Sequence, residues 1–407
     1  MMKNYDFIVV GSGAGGGTIA KELSLRGKRV ALLEAGGWIK PGKALKHYVI
    51  EQFGGVEAWW VKGVGGATEV ALGNGVRALS NRFSLLGLNL EEEFREAETE
   101  MGITLTPSSF HGEGTKRILD AASKIGYNFT PMPKFIDFER CSNCGLCTIG
   151  CPYAAKWSAS KEVSEAKKLG AKIITRANVT KIIIHNGKAD GVIYRSDNTL
   201  HEVYASNVIL CSGAISTPRL LQGIGLSEAG EGLFLDVFIT VGGVLKGIKL
   251  NKELPMQVYL AMDKFILSPH YSMFLLPYLE SKGFRVSKEN VLGLMVKIAD
   301  EPAGMVKTSS VEKHLTKKDM NLLLRGKKIA EEILLTAGAD PESIIATFPR
   351  GFHPGGTAAM GKVTNKNFET EFNGLFVCDA SLLPEAPGAP PILTIVALAK
   401  RLAKMLV

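Results

Sequence analysis

The chain has 407 residues, 46% hydrophobic and 22% charged, with a net charge of +8. That length and balance describe a globular protein with room for two sizeable domains. No run of about 18 uninterrupted apolar residues occurs, so no membrane-spanning helix is expected; lysines and arginines are interspersed with acids, which argues against nucleic-acid binding.

The opening Met-Met-Lys-Asn-Tyr-Asp leads into the apolar run 7–10. That run is too short for a signal-peptide core and reads as a first strand. The expected location is therefore cytoplasmic, with peripheral attachment to a membrane only through a partner. The strand meets Gly11-Ser-Gly13-Ala-Gly-Gly16, then a helical stretch with Ile19, Ala20 and Leu23 on one face, then a second strand over 29–33 ending at Glu34. This is a βαβ opening with the dinucleotide fingerprint in its proper context. Gly11 permits the tight turn, Gly13 lets a pyrophosphate approach the backbone, and Gly16 lets helix pack on strand. The helix N-terminus then faces the phosphates, and Glu34 can accept from the adenosine ribose hydroxyls. The motif does not separate FAD from NAD.

Further along, Gly63-Val-Gly65-Gly66-Ala-Thr68 forms a second glycine loop. The segment 141–152 reads Cys141-Ser-Asn-Cys144-Gly-Leu-Cys147-Thr-Ile-Gly-Cys151-Pro152. Its C-x2-C-x2-C-x3-C-P spacing is that of an iron–sulfur ferredoxin loop and points to Cys141, Cys144, Cys147 and Cys151 as metal ligands. A zinc knot and a reduced cysteine-rich loop are the alternatives. In two-cluster ferredoxins the fourth Cys serves the other cluster, and no second motif is present here. Cys211 and Cys378, at expected strand ends, read as small core residues.

From Val179 the sequence alternates as a hairpin whose Asn186-Gly187 suits a tight primed turn. Strands are expected at 233–244, 257–261 and 291–298, and one or two amphipathic helices over 315–335. The last part carries His353-Pro-Gly-Gly-Thr357-Ala-Ala-Met360-Gly361, Gly374-Leu-Phe-Val-Cys-Asp379-Ala-Ser381, and a helix opened by Pro390-Pro391. Proline suits a helix start, where its missing N–H costs little. No internal repeat is evident.

In order and spacing the two glycine loops, the segment Ala205–Leu221 and these C-terminal blocks resemble the glucose–methanol–choline oxidoreductase family, across about two thirds of the chain. The resemblance implies an α/β fold: an FAD-binding, Rossmann-like doubly wound sheet with a smaller antiparallel-sheet substrate domain. The expected layout is a discontinuous FAD domain (1–80, 160–225 and 346–407), a helical region with the cysteine loop (81–159), and a substrate domain (226–345). The resemblance also implies that Gly65, Gly66, Val179, Asp379 and Pro391 lie against the cofactor, and that His353 is the active-site base in the oxidation of an alcohol, polyol or sugar. A cluster on the cysteine loop would pass electrons to an external acceptor protein or quinone. The family's second catalytic His or Asn falls at Pro390, which has no side-chain donor or acceptor. Either His353 acts alone or another residue supplies the partner. Two rival readings are a redox-neutral enzyme on the same site and an electron-transfer subunit without an organic substrate. Trp59 and Trp60 are candidates for lining the substrate site. Oligomeric state is not legible.

Overall fold

The computed structural model describes residues 4–407. Strand β1 (Tyr5–Val10), helix α1 (Ala14–Leu25) and strand β2 (Val30–Glu34) form the opening unit. Its apolar run is buried because both faces of the sheet are covered. Gly11 leaves β1 at φ +99°, and a side chain there would meet the Cys211 carbonyl at 2.3 Å. Gly16 sits so close to Gly11 that a Cβ would lie 1.9 Å from its carbonyl oxygen.

Around this unit runs a seven-stranded sheet in the order Lys172–Thr175, β2, β1, Thr199–Leu210, Lys188–Ser196, Asn178–His185, with Leu375–Val377 also paired to Thr199–Leu210. Its core pairs are parallel. The expected hairpin is present, turning at Asn186 (φ 50°) and Gly187 (φ 73°). The last long helix, α2 (Ile392–Met405), is buried along most of its length beside α1.

The second sheet has nine strands and is antiparallel except where Val56–Val61 meets Arg350–Gly351. Its centre is β3 (Val237–Val244) paired with β4 (Val291–Ile298), in a register that sets Phe238 opposite Lys297 and Thr240 opposite Met295. Alternation along these strands gives two faces. Val237, Ile239, Val241, Leu294 and Val296 face the helix Lys317–Thr336, a single helix capped by Thr316 and Asp319. Phe238, Met295 and Lys297 face the other way, toward the first sheet. The strands Tyr48–Phe53 and Val56–Val61 belong to this second sheet, whereas the expected layout places 48–61 in the first domain; their pairing with the distant Arg350–Gly351 sets the sheet they join. Among the described residues no helix is long and apolar enough to cross a membrane.

Candidate active site between the two sheets

A cavity of about 540 Å³ lies between the sheets. One half is walled by the glycine turn. Gly11, Gly13, Glu34, Gly66, Val179, Asp379 and Pro391 all line it. Nothing lies within 4 Å of the position a Cβ on Gly13 would take, so the main chain there is open to a ligand. The second glycine loop comes up beside it, with a Cβ on Gly66 falling 3.2 Å from the Gly13 Cα. Gly16 and Gly65 lie behind this wall. Gly16 packs against Gly11, and the Gly65 N–H donates to Ser12 Oγ at 3.2 Å.

Two acids on this wall are largely occupied by the protein. Glu34 accepts from Ser12 N–H and Oγ–H (3.2 and 2.6 Å) and from Gly36 N–H (2.7 Å), which leaves about one acceptor site free. Asp379 accepts from Gly213 N–H, Thr217 Oγ–H, Ser381 N–H and Ser381 Oγ–H (2.5–2.8 Å). Burial pushes its carboxyl upward against those four bonds. Its side chain pins the turn at Gly213, so a direct contact to a cofactor has to come from its main chain. Pro390 and Pro391 bring the N-terminus of α2 to the cavity, where the positive end of its dipole favours developing negative charge.

At the other end lies His353, its ring 27% exposed. Its Nδ1 is 3.0 Å from Asp236 Oδ2 and 2.8 Å from Lys297 Nζ, and Lys297 Nζ donates to the same Oδ2 at 2.5 Å. Gly388 N–H donates to the other oxygen, Asp236 Oδ1, at 2.9 Å. Asp236 is fully buried just before β3, in the left-handed region (φ 55°) that Asp tolerates better than most residues. Burial opposes its charge, but Lys297 and His353 outweigh it and hold its carboxyl below the ordinary range. Burial pulls Lys297 down, against the attraction of Asp236. Burial, then the neighbouring Lys297 charge, pulls His353 below its ordinary value, with Asp236 opposing. The ring is therefore neutral at physiological pH. Nδ1 thus faces an acceptor, Asp236, and a donor, Lys297. With the ring proton on Nδ1 and given to Asp236, Lys297 spends its bond on the same carboxylate and the Nε2 lone pair is free.

Asp236 and Lys297 were missed in the sequence, and they supply the partner that Pro390 lacks. Each left a local mark. Lys297 is the one charged residue in the apolar run 291–298, and Asp236 the one in 233–244. A buried charge in such a run needs a partner. The walls near His353 also include Phe238, Met256, His270, Met295 and Phe352, and Trp59 and Trp60 line the same cavity.

The metal expectation does not carry over. Among the described residues no three His, Cys, Asp or Glu side chains are grouped to hold a metal ion. The cysteine loop is held by its surroundings instead. Asn143 Nδ2 donates to the Phe110 carbonyl (2.9 Å), its Oδ1 accepts from Leu254 N–H (2.5 Å), and Gly145 lies tight against the Asn251 carbonyl. Cys147 is buried with Ile136 and Leu254, while Cys141, Cys144 and Cys151 are partly exposed. As placed, the four thiols do not fit a closed cluster. None lines the cavity, although Thr148 does, and Cys211 lines the cofactor half.

Residues 59–243 and 296–399 match the N-terminal and C-terminal domains of the GMC oxidoreductases. The chain is 36% identical to an uncharacterised protein of Methanocaldococcus jannaschii, over 98% of both chains. It is 23% identical to the long-chain-alcohol oxidase of Arabidopsis thaliana, over 96% of this chain and 65% of that one. Among solved structures it is similar to pyridoxine 4-oxidase from Mesorbium loti, with a TM-score of 0.78 over 99% of each chain at 15% identity, a likeness of fold.

Proposed function

The chain belongs to the GMC oxidoreductase family, and from that premise we propose that it is an FAD-dependent oxidoreductase acting on a CH–OH donor, with His353 as the base. The observation that carries this reading is the neutral His353, bonded to Asp236 and set in the same cavity as the open Gly13 backbone and the N-terminus of α2. Gly11, Gly13 and Gly66 would hold FAD through main chain, Glu34 through its remaining acceptor site, and Val179 and Pro391 by packing. FAD, when bound, supplies the hydride acceptor.

The protein's own work is proton handling and orientation. His353 Nε2 receives the hydroxyl proton as the C–H bond gives up its hydride. Asp236 fixes the ring and attracts the imidazolium formed. An external acceptor, a carrier protein or quinone in this reading, would take the two electrons. The two alternatives to that oxidation, a redox-neutral reaction and electron transfer without organic substrate, both predict no bleaching of the flavin by an alcohol.

Electron relay through a cluster has one observation in its favour. Lys134 and Lys156 are buried between the cavity wall and the cysteine loop, and neither forms a carboxylate ion pair among the described residues. They bond neutral acceptors: Leu72 O, Asn74 Oδ1 and Pro255 O for Lys134, Glu69 O and Ala71 O for Lys156. Bound anionic sulfur would offset their charge. The thiols as placed do not fit a cluster, and iron and acid-labile sulfide analysis of protein purified without oxygen decides the point.

The main test is anaerobic. An alcohol substrate should bleach the flavin of the wild type in a single turnover, and His353→Ala should keep its flavin and bleach at least about a hundredfold more slowly. Equal rates would remove His353 from the chemistry.

A further inference from the structure

The half of the cavity bounded by the second sheet is poor in free hydrogen-bonding groups. Phe238 and Phe352 pack at 5.1 Å between ring centres, and Phe352 packs on Trp59 at 5.2 Å. Met256 and Met295 fill the space beside them. Most polar side-chain atoms of this half are committed elsewhere. Asn74 Oδ1 accepts from Lys134 and its Nδ2 faces Met256 Sδ. His270 Nδ1 is bonded to Thr240 Oγ1 at 3.0 Å, and burial, which pulls its pKa down to about 4, keeps it neutral. Trp59 Nε1–H donates to Glu57, and Tyr48 O–H to the Thr148 carbonyl.

Two groups stand apart, His353 and Lys297. The Lys297 ammonium carries three protons. One is donated to Asp236; His353 Nδ1 carries its own proton and cannot accept, so the other two have no acceptor among the described residues, although Nζ is buried and the residue lines the cavity.

We propose that this chamber takes an alcohol with a single hydroxyl on an aromatic or branched apolar body, and that a spare Nζ–H of Lys297 holds the hydroxyl oxygen. The class follows from the inventory. A sugar or polyol carries a hydroxyl on nearly every carbon, and each would be stripped of water against Phe, Met and Trp without a partner. One hydroxyl is matched by one donor, Lys297, and one acceptor, His353 Nε2. Aromatic and thioether walls suit flat or branched apolar bodies and adapt to their shape. As the proton leaves for His353, the ammonium would stabilise the oxygen's growing negative charge, as a fixed donor in a water-poor site does. The inference rests on the oxidoreductase reading above.

The experiment uses the FAD-loaded protein without oxygen. Flavin bleaching is timed with benzyl alcohol and branched primary alcohols on one side, and glucose, glycerol and sorbitol on the other. Binding of toluene and benzyl methyl ether, which offer no hydroxyl proton, is followed by perturbation of the flavin spectrum. The apolar alcohols should exceed the polyols by about a hundredfold or more in kcat/KM. Equal or faster bleaching by a polyol or sugar overturns the substrate class and leaves the oxidoreductase reading intact. Bleaching by no alcohol, with toluene still bound, sinks the oxidoreductase reading and keeps the apolar chamber. If neither bleaching nor binding occurs, both fall. Lys297→Met tests the anchor. It should lose about a hundredfold in kcat/KM for the apolar alcohols, yet bind toluene as the wild type does. An unchanged kcat/KM removes Lys297 from hydroxyl binding. If that variant fails to hold FAD, Lys297→Gln, which keeps N–H donors, should retain more activity than Lys297→Ala; equal loss in both overturns the anchor.

Discussion

The two halves of the cavity are built from different materials. On the first sheet the wall is main chain, at Gly11, Gly13 and Gly66, with acids such as Asp379 largely turned inward to hold the backbone. On the second sheet the wall is side chain, with Phe238, Met295, Lys297 and His353 reaching in from strands and a loop. A backbone wall depends on what a side chain would obstruct, and it discriminates little among substrates. A side-chain wall can change its preferences while the strands behind it stay as they are. Binding of a common cofactor and choice of a particular substrate are thus separable by mutation.

The largest expected effect lies on the backbone side. Gly16→Ala would force a methyl to 1.9 Å from the Gly11 carbonyl. We expect a loss of about 4 kcal/mol or more in stability, read as a fall in Tm even without cofactor. Gly13→Ala is the control, because a Cβ there meets no protein atom within 4 Å. Its apo Tm should match the wild type while FAD affinity drops by about tenfold or more, since the methyl occupies the approach to the phosphates. Equal Tm losses in the two variants would refute the separation of packing glycine from binding glycine.

Next comes the side-chain half. His353→Ala should lower the bleaching rate by about 10² to 10⁴ at unchanged flavin content. Asp236→Asn should act through the ring. Its amide can donate to Nδ1 and so favour the tautomer with Nε2 protonated, which makes His353 a poor base. We expect a loss of about a hundredfold in kcat, with far less effect on KM.

The pH dependence sharpens the same point. The folded value of His353 is lowered, by burial first and by Lys297 second, so the active neutral form persists below the ordinary histidine value. The acid limb of kcat/KM should therefore fall below about pH 6.5. Lys297→Met removes a like charge, which makes the imidazolium easier to form. Its acid limb should move to higher pH, a shift that simple loss of packing would not produce. An unmoved limb would deny that Lys297 and His353 are coupled.

How far the sequence foretold this arrangement follows from the same division. The glycine wall was legible because its requirement is local: a turn, a close approach and a helix start within six residues of chain. His353 was legible only through a resemblance, since nothing in its neighbours names a base. Asp236 and Lys297 lie 61 residues apart. They meet because β3 and β4 pair with Phe238 opposite Lys297, and strand register across such a separation is a property of the whole sheet. The sign each left, a lone charge in an apolar strand, announces a buried partner without saying which. Residues 48–61, expected in the first domain, pair into the second sheet for a related reason: the contact with Arg350–Gly351, distant in sequence, sets the sheet they extend.

The smallest expected effect concerns the cysteine loop, where spacing and structure part company. Spacing alone would make all four thiols equivalent. The structure makes them unequal: Cys147 is buried with Ile136 and Leu254, Cys151 Sγ accepts from Ala155 N–H at 3.4 Å, and Cys144 has neither role. Cys144→Ser should thus change stability by less than about 0.5 kcal/mol and leave turnover as it was. Cys147→Ser puts a hydroxyl in an apolar pocket and should cost about 1–3 kcal/mol. A thiol that ligates a cluster would behave in the opposite way, because loss of any one ligand disrupts the whole site. If Cys144→Ser proves as damaging as Cys147→Ser, and iron leaves with it, then the loop closes around a metal when loaded, and Lys134 and Lys156 are the cations that await it.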